Sequence, residues 1–380
     1  MSDISASQDR DRFQRKGADQ VKVIIFGADG QDRYCLSETC RKRQIGSNEH
    51  IDLSIVIVNW NSWGYLQKCI MSIRENADEL KYEIIVVDNC SSDNSAESIA
   101  VCFPEVILIK NKKNVGFPAA NNQAFKIARG QYLLMLNPDT LVKNNTLHQS
   151  LRVLKNEDSI GCLGVKTLKG NGEILFSCAR SFPSLWSKFW QIFFIDTIFP
   201  KWKFIKPSDM GYWDHNSSCD VDLLHGGYMM FPRSIYRKLG GLDEKLPMFY
   251  EDVEYCCRIK KAGFRIHYLA DVEIVHFVGI SRSKADPKWI ANIAKLYCET
   301  DYLYFLEYGG GSRTALSYVL MILFCFPLRV LYSPFIWLGY LIKNRKIKKM
   351  TLINLQIIAS AIWAIRKLQA IAGIRLTAEI

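Results

Sequence analysis

The segment from Ile51 to about Phe277 alternates short apolar runs with stretches of helical periodicity, and this alternation limits the fold more than any other feature. The continuous apolar runs are LSIVIV (53–58), EIIVVD (83–88), VILI (106–109) and YLLML (132–136). Runs of this kind are typical of strands buried on both faces. Helices are predicted between them, at about 64–77, 93–103 and 119–129. Strands that alternate with helices predict a mostly parallel α/β sheet.

Four polar motifs stand in a fixed order around the ends of these predicted strands. They are VNWN (58–61), VVDNCSSD (86–93), NVGFPAANN (114–122) and LNPDT (136–140). In an open α/β sheet, ligands bind outside the carboxyl ends of the strands. The order and position of the motifs therefore predict a ligand site at that edge of the sheet.

The residue types in these motifs suit a nucleotide. Asp88 ends a buried strand and opens a polar loop that can accept a hydrogen bond from a base, although capping of the next helix alone would also explain it. Gly116 provides a turn before a helix that begins near Pro118, where backbone N–H groups can meet a phosphate. Further along, Gly226 and Gly227 would let the backbone approach a sugar or phosphate closely.

Composition narrows the class of protein. The chain has 380 residues, of which 49% are apolar, and this is enough to bury the core of a folded enzyme. A formal net charge of +11 favours an anionic partner: nucleic acid, an anionic leaflet or a phosphate-bearing substrate. The twelve cysteines include no CxxC pair and no cluster with His at zinc spacing, so a reduced compartment is expected.

Residues 1–50 are predicted to be an extension of the main domain. Residues 1–20 are charged and poor in apolar side chains, as in a mobile tail. VKVIIFGADG (21–30) resembles the opening of a short-chain nucleotide-sugar dehydratase or reductase, but Arg33 stands where that pattern has its third glycine. A new strand begins at Leu53, which leaves no room for a complete dinucleotide-binding unit. We therefore interpret this segment as a degenerate fragment, and an oxidoreductase is not favoured.

Residues 286–380 are predicted to be a helical region that associates with a membrane. Ala315–Ile342 has one charged residue in 28, and two prolines, Pro327 and Pro334, predict that it is broken. Two short helices in the membrane, one kinked span and a soluble core hairpin all remain open. Five basic residues follow in KNRKIKK (343–349), and 352–374 has the pattern of a surface-lying amphipathic helix. The aromatic segment 184–205 suits either a core helix or an interfacial helix.

The four motifs, together with GGYMMFPR (226–233), FYEDVEYCCR (249–258) and VHFVGIS (275–281), resemble those of family 2 glycosyltransferases. The resemblance covers about 52–285 and is greatest to the bacterial rhamnosyltransferase-type members that build surface polysaccharides. It implies a GT-A fold, which is Rossmann-like with a mostly parallel sheet. The predicted domains are then 1–50, a GT-A domain at 51–285, and the helical region at 286–380.

The resemblance also implies roles for particular residues in binding the donor. The aspartate at the place of Asp88 contacts the nucleobase in the family, and a recurrent asparagine at the place of Asn122 lies close to the donor. The residues expected to bind the nucleotide sugar are Asn59, Asp88, Asn89, Asn114, Gly116, Asn122, Asn137, Gly226 and Gly227.

The metal and the general base are implied in the same way. Asn137-Pro138-Asp139 occupies the place of the D-x-D motif that holds a divalent cation, Mg²⁺ or Mn²⁺, against the diphosphate. Only Asp139 keeps an acid there, and His276 matches a family position that can complete the metal shell. In the pair Glu251-Asp252 the second acid is the expected general base, and the first is expected to orient the acceptor. Helix N-terminal charge is the structural alternative.

The resulting hypothesis is an inverting glycosyltransferase of surface polysaccharide synthesis. The favoured donor is dTDP-rhamnose, the expected acceptor is a polyprenyl-diphosphate-linked saccharide, and no nucleic acid partner is expected. The expected location is the cytoplasmic face of the inner membrane, with peripheral, monotopic or short C-terminal membrane attachment. Two alternatives remain. A nucleotidyltransferase would need a triphosphate loop rich in Gly and Lys, which VNWNSWG (58–64) does not provide. A non-catalytic scaffold that binds nucleotide sugars is favoured by Asn137, which stands where the motif has an acid.

Overall fold

One mixed sheet organises the part of the chain that carries the predicted site. The computed structural model describes residues 22–26, 32–33, 50–193, 195, 201–205, 210–246, 250–277, 287–342 and 348–372. The strands are β1 (Lys22–Phe26), β2 (Asp32–Arg33), β3 (Leu53–Asn59), β4 (Tyr82–Asp88), β5 (Ile107–Lys110), β6 (Tyr132–Leu136), β7 (Thr140–Val142), β8 (Ile160–Lys169), β9 (Ala179–Arg180), β10 (Cys219–Asp220), β11 (Leu223–Leu224), β12 (Tyr228–Pro232) and β13 (Arg265–His276).

The helices alternate with the strands in the first two thirds of the chain and follow one another at its end. They are α1 (Trp63–Asn76), α2 (Ser95–Cys102), α3 (Phe117–Ile127), α4 (Thr146–Asn156), α5 (Leu185–Ile192), α6 (Arg233–Leu239), α7 (Glu251–Lys261), α8 (Pro287–Glu307), α9 (Ser312–Ile342) and α10 (Lys348–Ile371). Short 3₁₀ turns lie at Phe176–Cys178 and Lys203–Ile205.

Within the described residues the sheet has eleven strands in the order β10-β13-β8-β12-β6-β3-β4-β5-β1-β2, and β7 pairs with β13. Strands β3, β4, β5 and β6 are parallel to one another. Strand β12 is antiparallel to both β6 and β8, and β13 is parallel to β8. The sheet is thus mixed and mostly parallel, as the alternating pattern predicts.

The centre of the sheet is buried on both faces. Every residue of β3 is buried, which explains why LSIVIV (53–58) shows no alternation of polar and apolar residues. Helix α1 buries Leu66, Cys69, Ile70 and Ile73, at the spacing of one helical face. Helix α3 begins two residues earlier than expected because Gly116, with φ of 87°, precedes it and Pro118 lies in its first turn.

The N-terminal fragment contributes to the same sheet. Strand β1 pairs in parallel with β5, with Lys22 opposite Ile107 and Ile25 opposite Lys110. The sequence pattern predicts this strand but not its partner. Residues 1–20, Gly27 and Gly30 lie outside the described residues, so the expected tail and glycine turn are not part of the description.

The chain divides into two units, of which the first contains the sheet. The first comprises residues 1–179, 215–246 and 254–278, and the second comprises 180–214, 247–253 and 279–380. In the second unit α8, α9 and α10 pack against one another. The expectation that Pro327 and Pro334 break the segment 315–342 is wrong, because α9 is one continuous helix through both prolines. A proline removes one backbone hydrogen bond, and α9 continues in spite of that loss.

A membrane span is not found. Among the helices of the described residues, none combines the length and the apolar character needed to cross a bilayer. Ser187 is the one fully buried residue of helix α5, and its aromatic side chains are partly buried or exposed, so the choice between a core helix and an interfacial helix stays open.

Gly130 provides a test of how tightly the sheet is packed. A Cβ at this position would lie 2.4 Å from the backbone nitrogen of Ser54, whereas a Cβ at Gly64, in the first turn of α1, would meet nothing within 4 Å. We expect Gly130→Ala to lower the free energy of unfolding by about 1–3 kcal/mol. The matched control Gly64→Ala should leave it unchanged or raise it by up to about 1 kcal/mol. Urea denaturation followed by circular dichroism measures both, and equal stabilities would contradict this packing.

Candidate active site

Most of the predicted site residues of the first unit lie at one edge of the sheet. Parallel pairing places the ends of β3, β4 and β6 together, and Asn59 is directly opposite Asp88. Because β12 is antiparallel to its neighbours, its first residue, Tyr228, lies opposite Leu136. The topology therefore brings the Gly226-Gly227 turn to the same edge. His276, at the end of β13, is also there because β13 runs parallel to β8.

Asn59 and Asp88 form a buried hydrogen-bonded pair. Asn59 Nδ2 donates to Asp88 Oδ1 at 3.0 Å and to Ser91 Oγ at 3.1 Å, and the backbone nitrogen of Ser91 donates to Asp88 Oδ2 at 3.0 Å. Asp88 is 1% exposed. Both carboxylate oxygens of Asp88 thus accept hydrogen bonds from the protein, so the Asp88 side chain shapes the loop after β4. The Oδ1 atom of Asn59 is buried without a hydrogen-bond partner.

Asn89 connects that loop to the turn before α3. Its Nδ2 donates to Asn114 Oδ1 at 2.9 Å, and its Oδ1 accepts from the backbone nitrogen of Val115 at 2.9 Å. Gly116 follows, and helix α3 begins without a side-chain cap or an acidic residue in its first turn. Uncapped N–H groups at a helix N-terminus favour an anion, so this turn can receive a phosphate.

Asn122 faces the interior of the first unit. Its Nδ2 donates to the Leu242 carbonyl at 2.8 Å and to Glu244 Oε1 at 2.9 Å, and its Oδ1 accepts from the Leu242 backbone nitrogen. A Cβ at Gly241 would lie 2.1 Å from Asn122 Oδ1, so only glycine permits this approach. The structure gives Asn122 the role of fastening α3 to the segment after α6.

Asp139 and His276 meet at the edge of the sheet. The Nε2 atom of His276 lies 3.0 Å from Asp139 Oδ1 and 3.4 Å from Asn137 Nδ2. His276 is buried, and its Nδ1 atom has no hydrogen-bond partner. Within the described residues, no group of three or more His, Cys, Asp or Glu side chains is placed to hold a metal ion. Asp139 and His276 are therefore a pair of potential metal ligands and do not by themselves complete a metal site.

The Gly226-Gly227 turn packs against this pair. A Cβ at Gly227 would lie 2.9 Å from His225 Nδ1 and 3.2 Å from His276 Nδ1. The His225 and His276 ring centroids are 5.5 Å apart, and the Gly227 backbone nitrogen donates to His225 Nδ1 at 3.0 Å. A glycine at position 227 is thus required for the two imidazole rings to approach each other. The sequence reasoning missed His225, although this residue directly precedes the glycine pair.

Glu251 and Asp252 begin α7 in the second unit, and both are buried. Asp252 Oδ1 accepts from the backbone nitrogen of Val253 at 2.8 Å, and Arg180 Nη2 lies 3.6 Å from Asp252 Oδ2. Arg180 is a further residue that the sequence reasoning missed, because nothing near it in the sequence marks it as the partner of an acid 72 positions later.

Glu254 and Arg258 fix the rest of α7 in the first unit. Arg258 Nη2 donates to Glu254 Oε2 at 2.7 Å, and the guanidinium also donates to the carbonyls of Leu239 and Gly241, each at 2.7 Å. Glu254 therefore does more than place a favourable charge near a helix N-terminus. It forms a salt bridge with Arg258, and Arg258 in turn connects α7 to the end of α6.

Comparisons with known proteins agree with this fold. Residues 54–240 match the model of the glycosyl transferase family 2. A mannosyltransferase from Pyrobaculum calidifontis, solved in complex with GDP-Man and Mn²⁺, aligns with a TM-score of 0.52 and 14% identity over 86% of this chain and 92% of its own. This likeness shows a GT-A-like α/β fold.

Curated relatives are distant but cover most of both chains. The low-salt glycan biosynthesis hexosyltransferase of Haloferax volcanii is 25% identical over 67% of this chain and 76% of its own. The N-acetylglucosaminyl-diphospho-decaprenol L-rhamnosyltransferase of Mycobacterium tuberculosis is 23% identical over 70% of this chain and 89% of its own.

The sheet and its edge define an enzyme of the GT-A class. The chain belongs to glycosyltransferase family 2 and is a glycosyltransferase. By their names the Haloferax relative is a hexosyltransferase of glycan biosynthesis and the mycobacterial relative is an L-rhamnosyltransferase, so the nucleotidyltransferase and scaffold alternatives gain no support.

The thiol of Cys69 lies 3.8 Å from the Asn137 carbonyl oxygen and 3.6 Å from Thr140 Oγ1, and it provides a test of burial near Asp139. Burial raises the pKa of Cys69 to about 12; a hydrogen bond with Thr140 opposes this shift, and the charge of Asp139 adds to it. We expect iodoacetamide at pH 8 to modify the exposed Cys90 and Cys102 at least about a hundredfold faster than Cys69, because the thiolate is the nucleophile. Peptide mass spectrometry measures the rates, and comparable labelling of all three in the folded protein would contradict the placement of Cys69.

Proposed function

We propose that the enzyme transfers a sugar, with L-rhamnose favoured, from a nucleotide diphosphate donor to a polyprenyl-diphosphate-linked saccharide, with inversion. The observation that carries the proposal is the pairing of Asp139 with His276 at 3.0 Å, at the sheet edge that also holds the Asn59–Asp88 pair. An acid at this edge suits the diphosphate of a donor, and the loops after β3 and β4 suit its nucleoside.

The residues present fit a divalent cation such as Mg²⁺ or Mn²⁺. Asp139 offers a carboxylate oxygen and His276 an imidazole nitrogen, and their 3.0 Å separation suits two ligands on one ion. Magnesium in particular is held by one or two protein groups together with substrate phosphates and water. Asp139 and His276 would hold the ion, which would neutralise negative charge on the departing diphosphate.

The protein's own groups would perform the proton transfer. Asp252 takes the proton from the acceptor hydroxyl while that oxygen forms a bond to the anomeric carbon, and the bond from that carbon to the diphosphate breaks, so that the electron pair leaves with the nucleotide. Arg180, whose Nη2 lies 3.6 Å from Asp252 Oδ2, stabilises the negative charge on this carboxylate. Glu251, next to it, would orient the acceptor.

The choice of sugar and acceptor is supported by the names of relatives. The mycobacterial relative is named as an L-rhamnosyltransferase acting on a decaprenol-linked sugar, which supports dTDP-rhamnose as donor and a lipid-linked acceptor for this chain. A lipid-linked acceptor in turn supports action at the cytoplasmic face of the inner membrane, with the basic helical region 286–380 as the membrane-associating part.

The assignment of the base can be tested with a donor panel. We expect the purified protein with Mg²⁺ or Mn²⁺ to release nucleoside diphosphate from dTDP-rhamnose faster than from other nucleotide sugars when a lipid-linked saccharide is present. Asp252→Asn should lower this rate by about 10²–10⁴-fold because the base is lost. Asp243→Asn removes an exposed carboxylate and is the control. Full activity of the Asp252→Asn variant would exclude Asp252 as the general base.

The metal pair can be tested independently of the base. Chelation by EDTA should abolish turnover, and Asp139→Asn should raise the metal concentration needed for half-maximal activity by at least about tenfold. Asp271→Asn, an exposed acid on the same strand as His276, is the matched control. Activity that survives EDTA, or a metal dependence equal in both variants, would refute the assignment.

A further inference from the structure

Among the described side chains of helix α9, which extend to Leu331, one apolar face is buried and an opposite apolar face is exposed. Its buried residues are Ala315, Tyr318, Val319, Ile322 and Cys325. Its exposed large apolar residues include Leu320 (46% exposed), Phe324 (73%), Leu328 (46%) and Leu331 (71%). At 100° per residue the two sets lie on opposite sides of the helix. The buried side is directed into the packing with α8 and α10, so the exposed side is directed away from it.

The exposed set forms a continuous stripe. Positions 320, 324, 328 and 331 follow the spacing of a single helical face and extend over about 16 Å, at a rise of about 1.5 Å per residue. A helix that packs against a protein on one side and water on the other normally carries polar residues on the outer side. An exposed apolar stripe of this length marks a surface that binds something apolar.

Two other segments of the second unit have the same character. In α10, Ile358, Ile362 and Ile365 are exposed at helical spacing. Around α5, the indole nitrogen of Trp186 donates to the Phe204 carbonyl at 2.9 Å, while both rings remain exposed. Lys201 and Lys203 are exposed beside them. Trp, Phe and Lys at one surface are the residues found where a protein meets lipid headgroups.

The charge of this region identifies the chemistry of the partner. Residues 312–372 contain nine Lys and Arg and no Asp or Glu, so they carry nine of the eleven net positive charges of the chain. A second copy of the chain would bring two such regions together and is disfavoured by repulsion. Nucleic acid would satisfy the charges but not the apolar stripe, because its outer surface is phosphate. An anionic lipid surface satisfies both.

We propose that the outer face of α9, formed by Leu320, Phe324, Leu328 and Leu331, lies in the headgroup region of an anionic membrane. Helix α9 lies in the surface and does not cross it. This inference deepens the membrane placement in the proposed function, since it names the surface that brings the enzyme to a lipid-linked acceptor.

The test is binding of the full chain to vesicles without any sugar. Vesicles of phosphatidylcholine with about 30% phosphatidylglycerol should sediment the protein, and pure phosphatidylcholine vesicles should bind it at least about tenfold more weakly. Phe324→Gln together with Leu331→Gln should weaken binding to the anionic vesicles by at least about tenfold, because two exposed apolar side chains are lost without a change in charge. Raising the salt concentration should weaken binding of the wild type.

Val101→Gln is the matched control, since Val101 is 55% exposed on α2 of the first unit and should not affect vesicle binding. Circular dichroism checks that each variant is folded. Three results would each overturn the proposal. The wild type does not bind anionic vesicles, the double variant binds them as well as the wild type does, or the wild type forms a dimer that the double variant abolishes. Release of nucleoside diphosphate from the donor in solution is measured in parallel. A wild-type protein that turns over the donor but does not bind anionic vesicles refutes this surface and leaves the proposed reaction standing.

Discussion

The parallel pairing of β3 with β4 and β6 is the constraint on which the site depends. Because the three strands run the same way, their backbone pairing brings their polar ends together at one edge. The register sets Asn59 opposite Asp88, and a slip of one residue would turn each buried side chain to the other face of the sheet. Strands buried on both faces resist such a slip, so the core stabilises the geometry of the edge.

The polar groups at this edge act mainly on one another. Asp88 is occupied by Asn59 and Ser91, and Asn89 by Asn114 and Val115. Such a network costs free energy if left half satisfied, and it holds two loops in fixed positions when complete. Loops held in this way present backbone N–H groups and the Asp139–His276 pair to a ligand with little reorganisation of the protein. Such a preorganised arrangement is the condition for electrostatic stabilisation of a departing group.

The sequence predicts the parts of the molecule that depend on local pattern. Four central strands were predicted to within one residue at most ends because each is a continuous apolar run, and helices α1, α2 and α3 lie within two residues of their expected bounds at most ends. The gathering of the polar motifs at one edge follows from the parallel pairing of these strands. The resemblance in motifs led to the correct family, since seven short segments in order are far more specific than any one of them.

Features that depend on contacts distant in sequence were not predictable. Asn122 has the residue type of a ligand contact, but it fastens α3 to Leu242, 120 positions away. Arg180 meets Asp252 only because the second unit brings them together. Pro327 has a local propensity to end a helix, and the packing of α9 against α8 and α10 outweighs it. In each case tertiary contacts decide the outcome, and a single sequence does not display them.

The distribution of charge extends this argument from the site to the whole chain. Nine of eleven net positive charges lie in residues 312–372, so the rest of the chain is close to neutral. A charge asymmetry of this size would orient the protein towards an anionic surface within about 10 Å, the distance over which salt leaves the attraction unscreened. Electrostatic attraction alone is reversible and salt-sensitive, whereas the exposed Phe324 and Leu331 add an apolar contribution that salt does not screen. The two contributions together suit an enzyme whose acceptor is confined to a membrane and whose donor is dissolved in water.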